Sequence, residues 1–179
     1  MSSTTASTGR TVAAEPYVWP YDGDIEPAHT ALMVFTGDSA DTPPLGPMHT
    51  LAGLASKLKA AGVRLVHLPR QGAAEASLPF VPDLVIVRPK LGAFWGSDVD
   101  LVLRMARLTH LLFAGFPFEL GADCTMREAN DLGYECLAIP DCCSGLAQDT
   151  FDGAVKSVTM SGGIFGAVAS SIEVLAAFA

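Results

Sequence analysis

Short apolar runs alternate along this chain with longer segments of helical periodicity. The runs have the length of buried strands, and apolar residues such as Leu51, Leu54 and Leu58 recur at helical spacing between them. This alternation predicts an α/β fold with a doubly wound, mostly parallel, six-stranded sheet and helices on both faces. The predicted strands are residues 30–36, 64–68, 83–88, 110–114, 134–139 and 164–168, and the predicted helices are residues 47–62, 98–108, 122–132, 147–160 and 171–178.

The composition predicts a single domain that associates with other chains. We expect a disordered polar tail over residues 1–15 and one domain over residues 16–179. Half of the residues are hydrophobic and only 17% are charged, so we expect the excess apolar surface to lie in an oligomer interface. The net charge of -8, without clusters of Lys or Arg, argues against nucleic acid or an anionic membrane as a partner. No apolar run reaches the length of a membrane span.

The cysteine spacing indicates free thiols. Cys124, Cys136, Cys142 and Cys143 fit neither a disulfide framework nor a zinc site built from paired Cys-x-x-Cys motifs. We therefore predict reduced cysteines and a cytoplasmic location. The histidines also lack the spacing of a metal-binding set, and we expect no metal and no cofactor.

Three predicted strands end in residues that could form a site. In open α/β sheets, ligands bind beyond the carboxyl ends of the strands, where the strand order reverses. The segments at these ends are residues 36–38 after the first strand, 88–90 after the third and 116–121 after the fourth. His67, near the end of the second strand, either lines this site or is a satisfied histidine of the core or rim.

Several segments carry motifs, beginning with Y-V-W-P-Y-D-G-D-I-E-P-A-H-T-A-L-M-V-F, which starts at residue 17, and A-G-F-P-F-E-L-G-A-D-C-T-M-R-E-A-N-D-L-G-Y, which starts at residue 114. These motifs resemble the isochorismatase-like cysteine hydrolases, most closely the branch of biuret hydrolase and ureidoacrylate amidohydrolase, and the first is similar to the entry into that domain. The strongest likeness is that of residues 114–134 to the family's G-V-x-T-x-x-C-V-x-x-T-A-R-D-A-x-x-x-G-Y. V-I-V-R-P-K-L-G-A-F-W-G-S and L-A-I-P-D-C-C-S-G resemble further segments, so the resemblance implies this fold from about residue 16 to the end.

The resemblance also implies where the family's Asp–Lys–Cys triad would lie. The aspartate position corresponds to Thr36, the lysine position to Arg88 and the cysteine position to Gly121. All three residues depart from the family's pattern, because glycine has no nucleophile, threonine is no base near neutral pH and arginine stays protonated. The connection over residues 71–82 is also shorter than the insertion that covers the active site in related enzymes.

Two uses of the altered positions remain open at this point. In one, Thr36, Arg88 and the helix start at Gly121 bind a small carboxylate or another anion. In the other, Arg88 pairs with a nearby acid such as Asp38 and the former pocket is collapsed.

A displaced triad is a further alternative. Asp38, Lys90 and Cys124 lie a few residues beyond the altered positions. Strand and helix geometry places Cys124 about 10 Å from the other two, too far for contact between a thiol and a base.

The sequence therefore supports three functions. The first is a family member without hydrolase activity, a pseudoenzyme, that assembles with itself or with an active paralogue. The second is an amidohydrolase that acts on a small C–N bond with displaced residues. The third is a binding protein for a small carboxylate.

Overall fold

A computed structural model of the protein describes residues 9–21, 23–39, 44–74 and 77–179. None of the helices in these ranges is long and apolar enough to cross a membrane. A π-helical turn, Phe118–Ala122, directly precedes the third α-helix. The strands are β1 (Thr30–Thr36), β2 (Arg64–Pro69), β3 (Leu84–Val85), β4 (His110–Gly115), β5 (Glu135–Ala138) and β6 (Ala167–Val168), and the α-helices are α1 (Leu45–Ala60), α2 (Val99–Met105), α3 (Asp123–Asp131), α4 (Gln148–Met160) and α5 (Ser171–Ala177).

The six strands form one sheet in the order β3-β2-β1-β4-β5-β6, and every pair is parallel. The predicted α/β fold is thereby confirmed. Helix α1 leads from β1 towards one edge of the sheet and α3 leads from β4 towards the other, so right-handed crossovers place these helices on opposite faces. The strand order reverses between β1 and β4, where Phe35 lies opposite Gly115. A crevice is expected at the carboxyl ends of these two strands.

The core is centred on β1 and β4. All seven residues of β1 are buried, and Phe35 stacks on Phe113 of β4 with the ring centroids 5.9 Å apart. The end of β4 needs glycine because a Cβ atom at Gly115 would lie 2.7 Å from the Cβ atom of Ala122. This close approach lets the π-helical turn pack directly on the end of the strand.

Two edge strands are shorter than predicted. Strand β3 contains two residues instead of the predicted 83–88, although Arg88 still forms an isolated bridge with Arg70. Strand β6 also contains two residues, because Gly166 has a φ of 108° and interrupts the extended conformation predicted from residue 164.

The predicted tail is wrong for the part that the structure describes. Val12 and Trp19 pair through two backbone hydrogen bonds of 2.8 and 3.0 Å, and both side chains are fully buried. Glu15 pairs in the same way with Val168 at the end of the sheet. Residues 1–8 lie outside the described residues, as do residues 75 and 76 of the shortened connection.

Candidate functional site

The crevice brings together the three positions at which the resemblance places the triad. The Arg88 Nη2 atom donates a hydrogen bond to the carbonyl oxygen of Thr36 at 3.0 Å. A Cβ atom built on Gly121 would lie 2.7 Å from the same Nη2 atom. Thr36, Arg88 and Gly121 therefore converge on one point, as the sequence comparison predicts.

Arg88 is the buried centre of this site. Its side chain is fully buried, and its Nε atom donates to the carbonyl oxygen of Leu68 at 2.9 Å. Its Nη1 atom donates to the carbonyl oxygens of Lys90 and Leu91 at 3.1 and 2.9 Å. Four backbone carbonyls, including that of Thr36, hold the guanidinium in one orientation. Such a network suits a structural arginine, because each buried N–H group needs an acceptor.

Asp38 completes the site with a carboxylate whose side chain is fully buried. Arg88 donates to both oxygens, from Nη1 to Oδ1 at 3.0 Å and from Nη2 to Oδ2. The Oδ2 atom also contacts the point at which a Cβ atom on Gly121 would lie. The alternative in which Arg88 pairs with Asp38 is thus the arrangement observed, and this pair fills the place of a side chain at position 121.

A second arginine, Arg70, donates from Nη1 to the Oδ1 atom of Asp38 at 3.2 Å. Arg70 is not among the site residues predicted from the sequence. Its position contained a usable signal, because Arg70 directly follows β2 and so lies at the same edge of the sheet as Asp38 and Arg88.

Thr36 uses its hydroxyl group to bind His67. The Thr36 Oγ1 and His67 Nε2 atoms lie 2.9 Å apart. Burial, and then the positive charge of Arg88, lower the pKa of His67 to about 4, so the ring is neutral near pH 7. His67 thus forms a hydrogen bond with Thr36. Its ring also lies in the wall of a neighbouring cavity.

Cys124 lies in the first turn of α3 and is half-buried. Burial raises the pKa of its thiol, and the negative charges of Asp123 and Glu128 raise it further. Cysteines become nucleophilic at helix starts when the pKa of the thiol is lowered, and the opposite occurs here. Of the substitute partners, Asp38 is already bound by two arginines. Lys90 is exposed, and only its backbone carbonyl oxygen contacts the site, as an acceptor from Arg88.

The raised pKa predicts slow alkylation of Cys124. We expect iodoacetamide at pH 7 to modify it no faster than a free cysteine, and the rate to keep rising above pH about 8.5 as the thiolate forms. Peptide mass mapping over a pH series measures this rate. The buried residues Cys136, Cys142 and Cys143 serve as internal references for unreactive thiols. Alkylation faster than that of a free thiol, with a plateau below pH 7, would contradict this prediction.

The hydrogen-bonding groups of Arg88 are already occupied within the protein. An anion that approached Arg88 would have to displace the carboxylate of Asp38. Within the described ranges, no group of three or more His, Cys, Asp or Glu residues could hold a metal ion. The binding of a small carboxylate at Thr36, Arg88 and Gly121 therefore stays a prediction.

The known proteins that resemble this chain in sequence are of the isochorismatase family. The profile of the isochorismatase domain matches residues 54–173. Two uncharacterised isochorismatase family proteins, YecD of Escherichia coli O157:H7 and YwoC of Bacillus subtilis (strain 168), are 26% and 29% identical to this chain over 76 residues. Each alignment covers 42% of this chain, and the chain spans only 40% of the length of each of these curated relatives.

Solved structures share the fold of this chain over a greater part of its length than the sequence alignments cover. A cysteine hydrolase from Pseudomonas syringae pv. phaseolicola 1448A superposes with a TM-score of 0.78, covering 96% of this chain and 98% of the other at 17% identity. At this identity the superposition establishes the common fold and carries no information about the reaction.

Proposed function

Because the chain belongs to the isochorismatase family, we propose that it is a member in which a structural ion pair has replaced the cysteine-hydrolase centre. The observation that carries this proposal is the position of Asp38 and Arg88, whose side chains fill the space around Gly121. We place the chain near the biuret hydrolase and ureidoacrylate amidohydrolase branch, on the motifs quoted above.

The chemistry of the three positions supports the loss of hydrolysis. A thioester intermediate needs a thiolate at the helix start, and Gly121 has no side chain. A proton relay needs a group with a tuned pKa, whereas an arginine stays protonated. The nearest thiol on the helix, Cys124, has a raised pKa. Each feature works against the mechanism independently of the others.

Assembly is the second part of the proposal, either with a second copy of the chain or with an active paralogue. Several large apolar side chains point outward on and before α2, namely Trp95, Leu101 and Met105, which are 74%, 59% and 77% exposed. Leu101 and Met105 lie one helical turn apart, so their side chains form one apolar stripe. Contiguous exposed apolar surface of this kind is typical of protein interfaces.

Light scattering tests assembly, and an assay of amide turnover tests the loss of hydrolysis. We expect light scattering to show a species heavier than the 18.7 kDa monomer, alone or with an added paralogue. We expect primary amides and ureido compounds to show no turnover above buffer, either with the wild type or with Cys124→Ala. Turnover by the wild type that Cys124→Ala abolishes would overturn the loss of hydrolysis. A monomer that ignores an intact paralogue would overturn assembly.

A further inference from the structure

A separate cavity of about 610 Å³ lies between the described residues 71–74 and 77–82 after β2 and the open edge of the sheet. Its volume falls within the range of small-molecule sites. Leu78, Phe80, Val85 and Val87 form an apolar wall, and His67 lies in the wall nearest to β1. Neither Gly121 nor Cys124 lines this cavity.

One end of the cavity is polar and already fixed in position. The Arg70 amide donates to the carbonyl oxygen of Thr36 at 3.0 Å, and the Gln71 amide donates to the carbonyl oxygen of Arg88 at 2.9 Å. A Cβ atom on Gly37, whose φ is 84°, would lie 3.2 Å from the Cβ atom of Arg70. The close approach at Gly37 thus seats the start of the connection against the end of β1. A ligand would meet a preorganised polar end, which reduces the entropic cost of binding.

The charge of the described residues at this end is not balanced. Among them, Arg70 and Arg88 share the single carboxylate of Asp38, an excess of one positive charge. Arg88 takes both carboxylate oxygens, while Arg70 contacts one of them and keeps its side chain 34% exposed. No Asp or Glu is among the described residues that line the cavity.

We propose that this cavity binds a small carboxylate with an apolar body, such as an aryl-substituted acetate. The carboxylate lies on the free N–H groups of Arg70, and the body packs on Phe80, Val85 and Val87. Charge-assisted hydrogen bonds to a guanidinium favour a carboxylate over a neutral amide, and the apolar wall favours a substituted acid over acetate. The inference goes beyond the loss of hydrolysis and does not depend on it, because the cavity excludes Gly121.

The test is an NMR titration of the full chain with phenylacetate, phenylacetamide and acetate. We expect saturable shifts with phenylacetate at the amides of Phe80 and Val85, and at least about tenfold weaker binding of phenylacetamide and acetate. The variant Arg70→Gln should reduce the affinity for phenylacetate to that for phenylacetamide. The matched control is Arg104→Gln, which changes an arginine that pairs with Asp100 on the surface of α2 and should change neither affinity.

A second variant keeps the inference testable if Arg70→Gln fails to fold. Val87→Glu adds a negative charge to the exposed wall without touching the Asp38 ion pairs. It should weaken phenylacetate by about tenfold more than it weakens phenylacetamide. The absence of saturable shifts at about 10 mM phenylacetate, equal affinity for the acid and the amide, or shifts confined to residues around Gly121 would each overturn the proposal. These outcomes are independent of whether the protein hydrolyses any amide.

Discussion

Asp38→Ala is expected to lower the free energy of unfolding by about 3–5 kcal/mol, because it leaves a buried guanidinium without its counter-charge. Arg88 is fully buried and donates to both oxygens of Asp38. The backbone carbonyls around Arg88 can accept hydrogen bonds, but they do not neutralise its charge. A loss of this size is a large fraction of the stability of an ordinary domain.

Urea unfolding of the wild type and the variant measures this effect. The control is Asp152→Ala, which removes an exposed carboxylate that accepts a hydrogen bond from Gln148 within α4. The control should cost no more than roughly 1 kcal/mol. Added acetate should partly restore the stability of Asp38→Ala, because a small carboxylate can occupy the vacated place beside Arg88. A cost no greater than that of the control would contradict a structural role for the pair.

Gly121→Ala is expected to cost about 1–3 kcal/mol, because the site has no room for a Cβ atom. Such an atom would lie 2.7 Å from the Nη2 atom and 2.9 Å from the Cζ atom of Arg88, both held by the hydrogen-bond network. Gly121→Cys should cost at least as much and should show no hydrolysis, because the thiol would collide with the ion pair and the adjacent carboxylate of Asp38 is held by Arg70 and Arg88. Unfolding free energies and amide turnover measure the two effects.

The matched control for Gly121 is Gly153→Ala in α4, where an added Cβ atom would meet nothing within 4 Å. Alanine should stabilise that helix by up to about 1 kcal/mol. In an Asp38→Ala background the cost of Gly121→Ala should shrink, because part of the colliding group is gone. An equal cost in both backgrounds would show that the carboxylate does not fill this space.

The central strands of this fold are predictable from sequence, and its edges are not. The apolar run at residues 30–36 coincides with β1 because burial on both faces requires apolar residues throughout. Strand β6 starts later than its apolar run because Gly166 has a φ of 108°. Val12 seemed part of a polar tail because its pairing with Trp19 depends on a turn that composition does not reveal.

The candidate site, too, was predictable from the sequence only in part. The family resemblance implies that Thr36, Arg88 and Gly121 meet at the ends of three strands, and the structure brings them together. Which acidic and basic side chains then pair depends on side-chain packing. The ion pair of Asp38 with Arg88 was therefore one alternative among several, and the contact of Arg70 with Asp38 was missed. The cavity beside β3 was also missed, because its wall combines residues that follow β2 with side chains at and after β3, which only the folded chain brings together.

The central claim is that an ion pair with a structural role occupies the former catalytic centre. A double-mutant cycle with Asp38→Ala, Arg88→Met and the double variant tests this most directly, with free energies of unfolding measured in urea. Residues kept for catalysis often reduce stability, whereas a buried structural pair is costly to break and cheaper to remove as a whole. We predict a coupling energy of at least about 2 kcal/mol between the two residues. A coupling below about 0.5 kcal/mol, with single variants as stable as the wild type, would contradict the account.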